Sequence, residues 1–173
     1  MDSLMNNDSG STVADLHTKR YYRNHGGFLW VDRHGIDHRA DTLLTYLQKV
    51  DEMGFKTKHF YVNQITQDLE RLYSLNLGEG NEDINHVMAR LEYRLTKSYL
   101  RYVGGQRFGF VNPSFVLNRL ESIAPNPYDS IKRAVRYRDL FDVKMQHASD
   151  AFFHLALQQL RSRVDVDGEE TEK

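Results

Sequence analysis

The feature that most constrains this chain is the recurrence of apolar residues every three or four positions along proline-free stretches. The clearest stretch has one apolar stripe, formed by Ile84, Val87, Met88, Leu91, Leu95 and Tyr99. Such spacing is typical of an amphipathic helix. Asn81 is a good N-cap for it, and Glu82 and Asp83 suit the positive end of a helix dipole. We therefore predict a long helix here.

Similar spacing predicts three helices before this one. The first covers about residues 13–24, with Leu16 and Tyr21 facing inward. The second is capped by Asp37 and ends at Gly54, which is expected to adopt a left-handed conformation. The third covers about residues 60–75. The predicted inward residues of the second and third helices are Ala40, Leu43, Leu44, Leu47, Val50, Tyr61, Ile65, Leu69 and Leu72.

After the long helix, glycine and proline punctuate the chain. The segment GGQRFGFVNP (residues 104–113) is expected to end that helix after Val103. Asn-Pro pairs at 112–113 and 126–127 then start helices reaching about residues 123 and 137, and a last helix is expected over about 140–163. FLWV and FGFV are the candidate strands, and each is too short to anchor a sheet. The predicted fold class is all-α, an irregular bundle of about six to seven helices.

The length of 173 residues suits one domain. We predict a disordered N-terminal tail over 1–11, a helical domain over 12–163, and an acidic tail or linker over 164–173. No apolar run approaches the ~20 residues that span a bilayer. The first residues also lack the basic and apolar regions of a signal peptide. Both a cytoplasmic protein and an exported domain whose signal lies outside this sequence fit this pattern.

Charge and cysteine content exclude several classes of function. There are 23 Lys and Arg residues against 24 Asp and Glu residues, a balance that argues against nucleic-acid binding. The chain has no cysteine. Disulfides, thiolate metal sites and a cysteine nucleophile are therefore excluded.

The histidines offer weak metal-site patterns. His34 and His38 are four residues apart with Asp37 between them, but Gly35 interrupts the stretch and no third ligand is apparent. A solvated junction between loop and helix is the favoured interpretation. No phosphate-binding loop or nucleophile elbow occurs. We predict no catalytic residue, no cofactor and no metal ligand.

Two aromatic segments are the candidate contact surface. Trp30 in FLWV is interpreted as a core anchor, although an exposed tryptophan would mark an interface. In GGQRFGFVNP a structural connection between helices is the favoured interpretation. Its functional alternative makes Arg107 a hydrogen-bond donor to a neighbouring domain or polymer, beside Phe108 and Phe110.

Four short sequence segments, taken in their order along the chain, resemble the N-terminal scaffold region of large Gram-negative L,D-transpeptidases. The resemblance covers about residues 13–124. A proline that is common before the Leu-Trp pair in that family is replaced here by GGF. The matching phrases are YYRNHGGFLW from residue 21, RADTLLTYL from residue 39, GFKTKHFY from residue 54 and RLTKSYLRYVGGQRFGFVNP from residue 94.

The resemblance implies a non-catalytic, periplasmic scaffold that holds a catalytic domain acting on peptidoglycan. That family's nucleophilic cysteine, in a Ser-x-Gly-Cys motif, has no counterpart here. The expected partners are a covalently linked or neighbouring L,D-transpeptidase catalytic domain and, as a second candidate, peptidoglycan. No nucleic acid and no membrane span are expected. The alternatives are an unrelated helical ligand- or peptide-binding module and, less favoured, a metalloenzyme using His34 and His38.

Overall fold

The structure is a computed structural model that describes residues 1–10, 12–24, 26–32, 34–74, 83–108 and 150–162. Most of these residues are helical, and the all-α prediction is confirmed. Two 3₁₀ turns connect α3 to α4, and residues 150–162 form a further helical segment. The elements are α1 (Asp2–Asn7), α2 (Val13–Arg23), α3 (Arg39–Gln48), the turns Val50–Met53 and Thr57–Phe60, α4 (Val62–Tyr73) and α5 (Ile84–Phe108).

The described residues contain one two-stranded sheet, which lies between α2 and α3 in the chain. Strand β1 (Val31–Asp32) pairs antiparallel with β2 (Gly35–Ile36), two residues each. Gly35 has a φ of 124°, which residues with a Cβ rarely adopt, so a glycine suits this tight turn. The candidate strand FLWV thus contributes only its last residue to a ladder.

Helix α5 is the centre of the bundle. It packs against α2, α3 and α4 and against the 3₁₀ turn Thr57–Phe60. Part of its predicted stripe is confirmed, since Val87, Leu91 and Leu95 are fully buried, whereas Ile84 is exposed. Leu100 is also fully buried, on a different face of the helix. A helix buried on several sides is expected to be the core of its bundle.

The predicted end of this helix at Val103 is wrong, because α5 continues to Phe108. The reason is packing. A Cβ on Gly104 would lie 2.7 Å from Cζ of Phe153, far inside van der Waals contact. Glycine at this position therefore lets the 150–162 segment approach α5 closely. The helix does not end at Gly104 but continues to Phe108.

The inward face of α2 also differs from the prediction. Leu16 is 52% exposed, and the buried positions are Ala14, Asp15, His17, Thr18 and Tyr22. Polar side chains can occupy this face because each finds a hydrogen-bond partner in the core. Of the two predicted inward residues, Tyr21 is partly buried and packs against the core, whereas Leu16 faces solvent.

The predictions for α3 and α4 are largely confirmed. Gly54 has the expected left-handed φ of 83°. Asp37 lies one residue before the N-cap, and its carboxylate accepts a hydrogen bond from the Arg39 backbone N–H at 2.7 Å. The predicted inward residues that are buried are Ala40, Leu43, Leu47, Val50, Ile65 and Leu69.

The N-terminal residues are not the predicted disordered tail. Residues 2–7 form α1, and Met5 is buried against Tyr22 and Tyr93. The polar composition of this segment predicts disorder, but the segment is held in place because Asp8 pairs with the buried Lys97 of α5. The acidic tail 164–173 and the helices predicted within 112–137 lie outside the described residues. In the described part of the chain, no helix is both long and apolar enough to cross a bilayer.

Candidate functional site

A buried carboxylate on α5 holds the FLWV segment. Glu92 has no solvent exposure, and its oxygens accept hydrogen bonds from the backbone N–H groups of Leu29, Trp30 and Val31 at 2.8, 2.9 and 3.1 Å. Hydrogen bonds to a charged acceptor are stronger than neutral ones. One side chain thereby fixes three consecutive residues to the central helix.

The hydroxyl groups of Tyr22 and Thr96 extend this hydrogen-bonded cluster. The Tyr22 hydroxyl donates to Oε1 of Glu92 at 2.5 Å, so its single hydrogen is used. Thr96 must therefore donate across its 2.7 Å contact with Tyr22, and Thr96 Oγ1 accepts from Nε1 of Trp30 at 3.0 Å. Burial raises the pKa of Glu92, although the hydrogen bonds that it accepts oppose this effect. The indole, both hydroxyls and the carboxylate form one closed chain.

A second buried cluster joins α2 to α5. The Asp15 carboxylate is fully buried and accepts from Nε and Nη2 of Arg101 at 2.8 and 3.0 Å. Its oxygen lies 3.7 Å from Nζ of Lys97, which is 1% exposed. Burial acts to raise the pKa of Asp15, but Arg101, Thr12 and Lys97 together outweigh burial and leave this pKa below its usual value.

Asp8 completes this cluster from the N-terminal segment. Its two oxygens lie 2.6 and 2.7 Å from Nζ of Lys97, and Tyr93 donates to it at 2.8 Å. Burial opposes ionisation of Asp8, but hydrogen bonds from Lys97, Gly10 and Tyr93 lower its pKa to about 2. The ammonium group of Lys97 also lies 5.2 Å from the centre of the Tyr61 ring.

A third cluster ties α4 to α5. The buried Asp68 carboxylate accepts from Arg90 at 2.7 and 2.9 Å and from Arg94 at 2.8 Å. Together the three clusters connect α5 to most of its neighbours through charge. Within the described residues, every buried side-chain nitrogen and oxygen has a hydrogen-bond partner. These buried groups hold the helices in position through their hydrogen bonds.

The structure places the described residues of the predicted contact surface in different environments. Trp30 is 2% exposed and lies in the core, so it is not a surface residue here. Its backbone and indole bonds to Glu92 and Thr96 are the physical reason. Arg107 is exposed, and Phe108 is half-buried with its ring edge-on to Phe152 at 5.2 Å. Phe110 lies outside the described residues.

His34 lies in the turn between β1 and β2, and His38 lies at the N-cap of α3. The backbone N–H of His34 donates to the carboxylate of Asp32 at 2.6 Å. The His38 side chain is 85% exposed and its Nδ1 lies 3.3 Å from Asp37. Across the described ranges, no three His, Asp or Glu side chains are grouped so that they could hold a metal ion.

An exposed patch lies beside the C-terminal half of α5. We name it the Tyr46 patch, formed by Tyr46, Met53, Tyr102 and Gln106. The rings of Tyr46 and Tyr102 are 6.2 Å apart, and Nε2 of Gln106 lies 3.2 Å from Sδ of Met53. Tyr102 and Gln106 are one helical turn apart and share a face. Tyr46 is 55% and Met53 40% exposed, so the patch presents apolar surface to solvent.

Sequence reasoning missed the buried polar residues of α5, Glu92, Thr96 and Lys97. One signal was available: apolar residues at 91, 93, 95, 99, 100 and 103 surround the helix axis. Apolar residues that point in several directions predict that several faces of the helix pack in the core, so some polar residues on those faces are expected to be buried. Their partners lie 61 to 89 residues away and have no local signature.

Comparison with known families gives one match. A model of the Scaffold domain matches residues 16–165. No curated protein and no solved structure matches the chain. The matched range begins within α2, after α1 and Asp8, and contains α3, α4, α5 and the 150–162 segment.

Proposed function

We propose, from the premise that the chain belongs to the Scaffold domain family, that it is the non-catalytic scaffold of a periplasmic L,D-transpeptidase. In this role it positions a catalytic domain that cross-links peptidoglycan. The match over residues 16–165 is the observation that carries the scaffold role. The four sequence phrases that resemble the transpeptidase scaffold region support the finer assignment.

The chemistry of the chain agrees with a supporting role. An L,D-transpeptidase requires a thiolate to form its acyl-enzyme intermediate, and these 173 residues contain no cysteine. The buried clusters on α5 instead fix α2, α4 and the FLWV segment in one arrangement. A domain that orients another one benefits from such rigidity because the ordering cost is met before binding.

The Tyr46 patch is the surface that we assign to the catalytic domain. It lies toward the C-terminal end of α5 and presents the neighbouring rings of Tyr46 and Tyr102. Tyrosine and arginine are enriched at the centres of protein interfaces. Contacts between domains typically bury about 600–1,500 Å².

The test is binding of the full chain to a purified L,D-transpeptidase catalytic domain, measured by calorimetry. We expect Tyr46→Ala to weaken binding at least about tenfold, which corresponds to loss of one anchor residue. Tyr73→Ala is the matched control, because Tyr73 is an equally exposed tyrosine at 60%, outside the patch. Absence of binding by the folded wild-type chain would contradict the proposal.

A second arm separates the two expected partners. The chain is incubated with purified peptidoglycan sacculi and sedimented. Co-sedimentation that Tyr46→Ala leaves unchanged assigns the patch to the protein partner alone. Co-sedimentation without any binding to the catalytic domain would overturn the positioning role and make the chain a wall-binding module.

A further inference from the structure

The N-terminal segment 1–10 is attached to the bundle differently from the other elements. It lies before the matched range 16–165, and its apolar contacts form a small cluster separate from the main core. Helix α1 has six residues and no side-chain cap. So short a helix is not stable by itself. The segment therefore depends on a few specific contacts with the surface beneath it.

Two side chains supply the main contacts. Met5 is 5% exposed and packs against the rings of Tyr22 and Tyr93. Three residues later, the Asp8 carboxylate meets the ammonium group of Lys97 and the Tyr93 hydroxyl. An apolar side chain and a carboxylate thus enter adjacent positions on α2 and α5.

The backbone of the segment is also recognised. Nζ of Lys19 donates to the carbonyl oxygens of Asp8 and Gly10 at 2.7 and 2.9 Å. A Cβ on Gly10 would lie 2.6 Å from both Nζ of Lys97 and Oδ2 of Asp15. A side chain at this position would force the buried ends of Lys97 and Asp15 to shift, so glycine suits the close approach.

The surface under the segment is suited to an anion. Among the described carboxylates, only that of Asp8 lies within hydrogen-bond distance of Lys97; the Asp15 oxygen is at 3.7 Å, and Asp15 is also engaged by Arg101. Asp8 therefore supplies the close counter-charge that a buried ammonium favours. A peptide that buries Lys97 in place of the segment is expected to bring a carboxylate to the same position.

We infer that the Lys97–Tyr93–Tyr22 surface is a binding site for an acidic peptide, and that residues 1–10 occupy it as a displaceable plug. The peptide carries an apolar side chain, an aspartate three residues later and a glycine two residues after that. Met5, Asp8 and Gly10 show this pattern in the occupied state. Release of the segment opens the site to a partner with the same chemistry. The inference does not depend on the proposed transpeptidase role.

Hydrogen exchange on the full wild-type chain tests whether the plug opens by itself. We expect backbone amides of residues 4–8 to exchange at least about tenfold faster than those around Leu95, because local opening needs less free energy than global unfolding. Equal rates would show that the segment separates only when the whole bundle unfolds, and this would overturn the inference.

Peptide binding tests the site itself. Gly10→Val in the full chain should displace the segment, while the exposed Ser9→Val is the matched control. A fluorescent peptide with the sequence of residues 1–10 should bind Gly10→Val at least about tenfold more tightly than it binds wild type or Ser9→Val, because a closed plug lowers apparent affinity. The same peptide with Asp8→Asn should not bind.

Two results would overturn the inference. The first is a Gly10→Val chain with unchanged helical circular dichroism that does not bind the peptide. The second is a Gly10→Val chain that loses its helical signal, because residues 1–10 would then be an integral part of the fold. Loss of binding on adding Lys97→Met to Gly10→Val would support the site, since the peptide carboxylate loses its counter-charge.

Discussion

At the scale of single residues, this protein is organised by charges that its core contains. Glu92 and Asp15 are fully buried, and Lys97 nearly so, yet each has a hydrogen-bonded partner. Removing one partner of a buried ion pair commonly costs about 3–5 kcal/mol because the other charge remains uncompensated. These residues therefore specify how the helices meet.

Glu92→Gln should reduce the free energy of unfolding by about 3 kcal/mol. The amide NH₂ of glutamine would face at least one of the backbone N–H groups that now point to the carboxylate, and the charged hydrogen bonds would be lost. Urea unfolding followed by circular dichroism measures this. Glu70→Gln, at an exposed position, is the control, with an expected change under about 0.5 kcal/mol. Equal effects of both variants would refute this role of Glu92.

Asp8 should make part of the stability depend on acid pH. Its pKa falls from 3.8 to about 2 on folding, so its contribution is complete above pH 3.8 and is lost as the pH falls through 2. The difference in unfolding free energy between wild type and Asp8→Asn should be constant above about pH 4 and shrink toward pH 2. Unfolding measured across this range, with the exposed Asp51→Asn as control, tests it. A pH-independent difference is incompatible with the assignment.

At the scale of elements, α5 determines the arrangement. Much of its apolar spacing was readable from the sequence, and so were most of the inward faces of α3 and α4. Its length was misjudged because Gly104 and Gly105 normally indicate a helix end. The close approach of Phe153 to Gly104 is a contact across 49 residues, which local propensity does not contain.

Gly104→Ala should destabilise the protein by about 1 kcal/mol. Alanine improves helix propensity by about 1 kcal/mol, but its Cβ would overlap the Phe153 ring, and overpacking costs about 1–3 kcal/mol. In a Phe153→Leu background the overlap is relieved, so the same change should become neutral or stabilising. Thermal unfolding of the four chains forms a double-mutant cycle. Additive effects would rule out the packing explanation.

At the scale of the whole molecule, Arg39 joins segments that are distant in sequence. Its Nη1 donates to the carbonyl of Leu160 at 3.1 Å and its Nη2 to the carbonyl of Leu29 at 3.0 Å. Its Nε pairs with Asp37, and its guanidinium group lies 5.8 Å from the centre of the Trp30 ring. One planar cation thereby links α3, the FLWV segment and the 150–162 segment.

Arg39→Lys should lower the stability by about 1–3 kcal/mol. A lysine ammonium is a point donor and cannot reach both carbonyl oxygens while pairing with Asp37. For a chain of this size each kcal/mol lowers the melting temperature by about 2–4 °C. Arg23→Lys, on the exposed side of α2, should leave it unchanged. A melting temperature equal to that of wild type would contradict this linking role.

The sequence by itself determined the helical class, most of the α3 and α4 faces, the left-handed Gly54 and the lack of a thiol nucleophile. These properties follow from spacing, caps and composition, which act over a few residues. Only the tertiary structure decided the buried polar face of α2, the partners that hold Trp30 in the core and the ordering of residues 1–10. Each depends on a buried charge on α5 whose partner is more than 60 residues away, and an interaction of that range leaves no periodic trace in the chain.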